Sequence, residues 1–311
     1  MAPFGNARLR MSDAEFRMFS ELLRHHCGLH FGEESRFLLE KRIGRRLEAL
    51  ELGSFAAYHY LVRKEREGDG ELSHLIDELT TNETYFFREM NQLRALIDEV
   101  LPELLLARRS RLPGASVGIW SAGCSSGEEP YTLVIMALEA GLEPGRDLRV
   151  YASDISRAML TKARRGLYRE ASFRETPSHL HDRYFSEKEG LSRISDEVKK
   201  HVDFIHLNLL DEGKLALLGT MDVILCRNVI IYFDADTKRR VIQTFHDKLR
   251  PGGHLLLGHS ESLINISSAF ELRHLKRDLV YRRPIPGEET RDPWHQAAEA
   301  AVALCEREGE Q

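Results

Sequence analysis

The chain has 311 residues, 42% of them hydrophobic, and a formal net charge of −5. That length exceeds one typical domain, so a large α/β unit with a smaller partner is expected, and the lack of any long Lys or Arg block argues against nucleic acid as the partner. The four cysteines, Cys27, Cys124, Cys226 and Cys305, stand far apart without a C-x-x-C pair, and no apolar run approaches about eighteen residues, so a reduced cytoplasmic protein with no membrane insertion is expected.

Residues 1–80 read as an N-terminal all-α domain of four or five helices. Ser12-Asp13-Ala14-Glu15 is a capping-box pattern opening a helix through Phe16, Phe19, Leu22 and Leu23 that ends at Gly28. A second helix, Glu34 to Leu52, gathers Leu39, Ile43, Leu47 and Leu50 on one stripe, and Arg42, Arg45 and Arg46 are expected on the face away from it. That basic face is either an ordinary solvated surface or a docking face for an acidic helical partner. Further helix boundaries fall at Ser54-Phe55 and Asp69-Gly70. Residues 81–115 then form a linker and connecting helix. Thr81-Asn82-Glu83-Thr84 is rich in short hydrogen-bonding side chains and runs into Tyr85-Phe86-Phe87-Arg88, which reads either as a capped linker anchored by Phe86 and Phe87 or as one wall of an interdomain cleft. A long helix from Met90 to about Arg109 is expected to stop at Pro113-Gly114.

Residues 116–284 read as a Rossmann-like α/β domain. Val117, Ile119 and Trp120 form a short buried strand, Ser121-Ala122-Gly123-Cys124-Ser125-Ser126-Gly127 a turn of small residues, and Glu128 starts a helix with Pro130 in its first turn. This is either a plain strand-to-helix turn or a nucleotide cradle. It lacks the G-x-G-x-x-G of a dinucleotide site, which weighs against a nicotinamide oxidoreductase, and Glu128 and Glu129 are expected to hold the helix N-terminus where phosphates would otherwise sit. A ligand with an adenosine, no phosphate and a positive charge suits such a turn, a description that S-adenosylmethionine meets. Leu148–Asp154 reads as the second strand, ending in an acid suited to ribose hydroxyls. Residues 167–201 look like an inserted β-subdomain in which Leu191–Ile194 is the best strand candidate. Val202–Leu209, Met221–Asn228 and Gly253–Gly258 read as strands three to five, and Phe270–Leu275 with Leu279–Arg283 as an antiparallel edge. Residues 285–311 are a C-terminal tail in which Trp294–Glu308 is a possible docking helix, the start of a longer extension, or disordered.

Six segments in order, Thr81–Glu89, Trp120–Tyr131, Ala152–Ile155, Leu207–Leu210, Cys226–Asp234 and Pro251–Glu261, together resemble the CheR family of chemotaxis receptor glutamate O-methyltransferases. The resemblance spans roughly residues 12 to 283. It implies an all-α domain joined to an S-adenosylmethionine-dependent methyltransferase domain with a small inserted β-subdomain, with S-adenosylhomocysteine as product and no metal. It also implies cofactor contacts at Asn82, Thr84, Arg88, Glu129, Asp154, Asn208, Leu209, Arg227 and Asn228, beside Gly123, over whose turn the ligand is expected to lie. Arg88 and Tyr232 fall at the methyl-transfer centre, and Arg42, Arg45 and Arg46 face the acidic methylation helices of a chemoreceptor. Members that tether to a receptor's C-terminal pentapeptide carry a glycine-rich loop where this chain has Phe185-Ser186-Glu187-Lys188-Glu189-Gly190-Leu191, so such a tether is not expected, and a monomer is. A nucleic-acid methyltransferase and an inactive cofactor-binding scaffold stand as the alternatives.

Overall fold

The computed structural model describes residues 10–64, 70–111 and 114–288. Asp69, Pro113, Cys305 and the segment 294–308 therefore lie outside the described residues.

The N-terminal part folds as four α-helices among the described residues: α1 (Asp13–Cys27), α2 (Arg36–Ala49), α3 (Phe55–Lys64) and α4 (Glu71–Leu79). The capping box at Ser12 is formed in both directions, so two otherwise orphaned N–H groups are satisfied, and Gly28 closes α1 in the left-handed conformation at φ 78°. Phe19, Leu23, Leu39, Ile43, Tyr58 and Leu75 make its core. The connecting helix runs as α5 (Met90–Ala95), a π turn at Leu96–Val100, and α6 (Leu101–Arg111). The widening has a covalent cause, because Pro102 has no N–H to give the carbonyl four residues earlier and its ring crowds that carbonyl.

The second part alternates β1 (Val117–Ala122), α7 (Glu128–Glu139), β2 (Leu148–Asp154) and α8 (Arg157–Arg165). It then inserts β3 (Leu167–Tyr168), α9 (Ser178–Tyr184), β4 (Phe185–Lys188), β5 (Leu191–Ile194) and α10 (Asp196–Lys199). The main fold resumes with β6 (Val202–His206), α11 (Glu212–Leu217), β7 (Met221–Cys226), α12 (Ala235–Lys248), β8 (Leu249–Leu257), β9 (Glu271–His274) and β10 (Leu279–Arg282). The large sheet has the order β6-β2-β1-β7-β8-β10-β9. Its first five strands pair in parallel, and β10 and β9 add an antiparallel edge. Direction of winding reverses between β1 and β7, and the crevice at the carboxyl end of such a pair is where ligands bind in this architecture.

Within the insertion, β3, β5 and β4 form a separate antiparallel sheet. The expectation of one strand there is extended to three. The hairpin between β4 and β5 turns on Glu189 and Gly190 alone, both with positive φ (54° and 73°). Two left-handed residues match the right-handed twist of the flanking strands, which is why so short a turn suffices. No described helix is long and apolar enough to cross a membrane.

Candidate active site

The turn after β1 is held in shape from three sides. The Gly123 and Cys124 N–H groups both donate to the Ser153 carbonyl at the end of β2, 2.8 and 2.9 Å away. Gly123 has φ 83°, and a Cβ there would collide with the Val229 side chain. Its glycine therefore serves backbone conformation and the close approach of the loop after β7. Asp154, at the tip of β2, accepts from the Ser125 N–H at 2.7 Å and from the Ser156 N–H at 2.8 Å, one to each carboxylate oxygen. Burial pushes its acid dissociation up to about 6, against the opposing pull of those N–H groups.

The loop after β7 forms the facing wall. Arg227 is nearly fully buried, with its guanidinium bonded to Glu129 and Glu89 at 3.0 Å each and to the Arg88 carbonyl at 2.7 Å. A buried cation is tolerable only with such partners, and here they tie helix α7 to the interdomain linker. Asn228 follows in the left-handed region at φ 59°. Glu261, arriving from beyond β8, organises the loop. One of its oxygens accepts from the Asn228 and Gly258 N–H groups at 2.7 Å each, and the other from Val229 at 2.9 Å and Ile231 at 3.3 Å. Glu261 and Glu89 carry no role in the sequence-based site. The only signal for Glu261 is its place in Gly258-His259-Ser260-Glu261, and nothing local says that its partners lie some thirty residues earlier.

The helical domain closes the remaining side. Leu29, after α1, forms an antiparallel bridge with Phe233, and the His30 N–H donates to the Tyr232 carbonyl at 2.9 Å. The result is a cleft with about 290 Å³ of internal space. Asn82, Thr84, Arg88, Gly123, Glu129, Asp154, Asn208, Leu209, Arg227, Asn228 and Tyr232 all line it. Arg42, Arg45 and Arg46 do not. The wall also suits a polar, adenosyl-type occupant, because the Ser125 hydroxyl and the Asn228 carboxamide oxygen are buried without a hydrogen-bond partner, and both residues line the cleft. Buried polar atoms left unpaired cost stability that a bound group supplying partners would return. Among the described residues, no cluster of His, Cys, Asp or Glu is arranged to hold a metal ion.

Two expectations are corrected and a third is narrowed. Glu128 does not fringe the cleft; it is buried against the insertion, where the Ser126 and Ser172 hydroxyls donate to its two oxygens. Burial raises its acid dissociation, partly offset by those hydroxyls. Arg46 is not on a free basic face. It forms a two-pronged ion pair with Glu71, both bonds 2.7 Å, because seven residues beyond Leu39 it lies only about 20° from the apolar stripe. Arg42 likewise spends its guanidinium on the Glu78 and Thr80 carbonyls, while Arg45 is 60% exposed beside Glu78. Lastly, the Asn208 carboxamide is engaged inside the protein, donating to the His26 carbonyl and accepting from the Leu210 N–H.

Comparison with known proteins gives a consistent result. The family described as "CheR methyltransferase, SAM binding domain" matches residues 82–279, and "CheR methyltransferase, all-alpha domain" matches residues 14–80. The chain is 38% identical over 279 residues to Chemotaxis protein methyltransferase 2 of Vibrio cholerae, covering 89% of this chain and 95% of the relative. It is 38% identical over 272 residues to the Chemotaxis protein methyltransferase of Escherichia coli, covering 86% and 90%, and 36% identical over 271 residues to that of Salmonella typhimurium, covering 86% and 90%.

Proposed function

The chain belongs to the CheR methyltransferase family, and on that premise we propose that it methylates glutamate side chains on the cytoplasmic helices of a chemoreceptor, forming methyl esters in chemotaxis adaptation. The observation that carries this reading is convergence. Positions from the linker, the β1 turn, the tip of β2 and the segments after β6 and β7 meet in one cleft, among buried polar atoms that lack partners. The cofactor, S-adenosylmethionine, supplies an electrophilic methyl carbon.

The chain's own groups do the rest. Asp154 keeps lone pairs free beside its two backbone bonds to accept from ribose hydroxyls. Glu129, anchored by Ser121 at 2.6 Å and by Arg227, presents negative charge to an ammonium. Because the Asn208 side chain is engaged, the Leu209 backbone and the second amide hydrogen of Asn208 are left for an adenine edge. Arg88 donates to the Glu83 carbonyl at 2.8 Å and lies over the Tyr85 ring, which leaves further donors of its fork for a carboxylate. Tyr232 brings a hydroxyl to the same region.

A glutamate titrating near about 4.3 is already the nucleophilic anion at neutral pH. No general base is required, and the protein's work is alignment and exclusion of water. Arg45 is the exposed member of the basic α2 face and is left to meet an acidic receptor helix, with Arg42 in support. The two-residue hairpin at Glu189-Gly190 supports a receptor encounter without a pentapeptide tether, so calorimetry with a receptor-tail pentapeptide should give no tight binding. The test of the whole reading is incubation with methyl-labelled cofactor and a receptor cytoplasmic fragment. Label on the receptor that is released by mild base is expected; label that resists base, or appears on nucleic acid instead, would overturn it.

A further inference from the structure

The insertion between α8 and β6 does more than decorate the sheet. Tyr168, at the end of β3, is 4% exposed and donates its hydroxyl to the Ser126 carbonyl at 2.8 Å, inside the glycine turn that follows β1. Burial drives that hydroxyl's acid dissociation well up, so it remains a donor at any working pH. Four residues on, Ser172 makes two contacts at once. Its hydroxyl donates to Glu128 at 3.1 Å, at the start of α7, and its carbonyl accepts from the Phe86 N–H at 2.9 Å, in the linker. The Phe86 ring is fully buried in an aromatic nest built by the insertion. It stacks on Phe173 at 5.2 Å and meets Tyr168 and Phe185 edge-on at 4.8 and 4.9 Å. Arg174 completes the run by pairing with Glu83 at 2.9 Å and covering the Tyr85 ring at 3.6 Å. The short stretch Tyr168–Arg174 thus grips two walls of the cleft, the turn at 123–128 and the linker at 83–88.

From these contacts we infer that the insertion is a brace for the cofactor site, with Tyr168 and Ser172 as positioning residues that hold the β1 turn in its binding shape. The inference rests on the functional reading above. It assigns the insertion a role in cofactor affinity that does not depend on any receptor contact. The physical reason lies in the middle of the turn. Gly123 and Gly127 take their positive φ freely, but Ser125 between them is a side-chain-bearing residue at φ 48°, and such a residue stays in the left-handed region only where surrounding bonds over-determine it. Two bonds reach that turn and the helix it opens from the insertion, and deleting Tyr168's leaves the Ser126 carbonyl without its partner.

The test is titration calorimetry of the full chain with S-adenosylhomocysteine, paired with initial rates. Tyr168→Phe, which keeps the ring and its packing, should weaken S-adenosylhomocysteine binding by about fivefold to tenfold. It should raise the KM for S-adenosylmethionine in step and leave kcat at saturating cofactor within about twofold of wild type. Tyr168→Phe combined with Ser172→Ala should weaken binding further. Arg193→Ala, which deletes an exposed insertion side chain paired with Asp196 at 3.0 Å on the face of β5 opposite to that of Ser192, the partner of Tyr168, should bind as wild type does. Wild-type affinity in Tyr168→Phe, or an equal loss in Arg193→Ala, would overturn the brace alone. Wild-type protein that fails to bind S-adenosylhomocysteine would overturn the functional reading and the brace with it.

Discussion

Replacing Glu261 by glutamine tests how the loop after β7 is held. In the native loop one carboxylate accepts four backbone N–H groups, two at each oxygen, from Asn228, Val229, Ile231 and Gly258. Glutamine is isosteric but keeps one acceptor oxygen, and its amide N–H₂ confronts the other pair donor to donor. With its N–H₂ turned toward Val229 and Ile231, the weaker pair, one part-buried N–H loses its partner while the exposed Ile231 N–H can turn to water, at about 1–3 kcal/mol in all. Gly258 packs tightly against the loop, since a Cβ there would lie 2.8 Å from the Asn228 carboxamide nitrogen and 2.9 Å from its backbone nitrogen. The part of the penalty that appears as lost stability should lower the melting temperature by on the order of 2–5 °C, since about 1 kcal/mol moves a chain of this length by about 2 °C. The rest should appear as displacement of Asn228 and Tyr232, and a shift of about 1 Å at a reacting centre costs on the order of 100-fold in turnover. Thermal melting gives the first number; initial rates well below the melting point, with saturating cofactor and receptor fragment, give the second. Melting within about 1 °C of wild type together with kcat within about threefold would refute the argument that this carboxylate holds the loop.

Three further outcomes follow from the site. Asp154 titrates near 6 because burial disfavours its anion, so S-adenosylhomocysteine affinity should hold steady above about pH 7 and fall as the pH drops through 6 and the carboxylate takes a proton; calorimetry that shows no change down to about pH 5 would remove Asp154 from ribose binding. On α2 the arginines should separate. Arg45→Glu should raise the KM for receptor with little effect on melting, whereas Arg46→Ala should cost about 1–3 kcal/mol of stability by taking the cation away from the buried Glu71 carboxylate, which keeps only neutral help such as the Tyr58 hydroxyl, and thermal melts beside receptor titrations distinguish the two. Burial pushes Glu71 up, but the bonds from Arg46 and Tyr58 outweigh it and hold the carboxyl below its ordinary value, so the stability from this pair is present above the unfolded carboxyl's range and is lost as pH falls through the folded one. Arg88→Ala should lower turnover strongly while no single histidine substitution abolishes it, and a histidine variant that binds cofactor normally yet is inactive would overturn the claim that no general base is needed.

The elements that were legible in the chain are those whose signal is local. Val117–Ala122, Leu148–Asp154 and Met221–Cys226 announce themselves as buried strands by short apolar runs bounded by small or polar residues, and all three lie at the centre of the sheet. The Ser12 cap and the Gly28 stop are equally local, each a bond or dihedral within one turn of helix. The positions proposed to meet the cofactor read as ordered motifs; those after β1, β2, β6 and β7 gather in one cleft because they leave neighbouring strands at one end of the sheet, and the linker positions join them only through packing. The insertion is different. Leu167–Tyr168 and Phe185–Lys188 are too short and too polar to read as strands, and they become strands only by pairing with Leu191–Ile194.

What the tertiary structure alone decided is where each charge points. Glu128 and Glu129 are adjacent in the chain, but 100° of helical rotation sends one to Ser172 and the insertion and leaves the other in the cleft with Arg227. Arg46 and Arg45 part in the same way, one to a buried carboxylate and one to solvent. Glu261 acquires three of its four donors, at Asn228, Val229 and Ile231, only once β7 and β8 lie side by side. Residue types and spacing therefore set the strands, the caps and the chemistry available to the cleft, since those depend on a few neighbouring bonds. The partners that a buried charged group needs come from segments tens of residues away, and only packing brings them within reach.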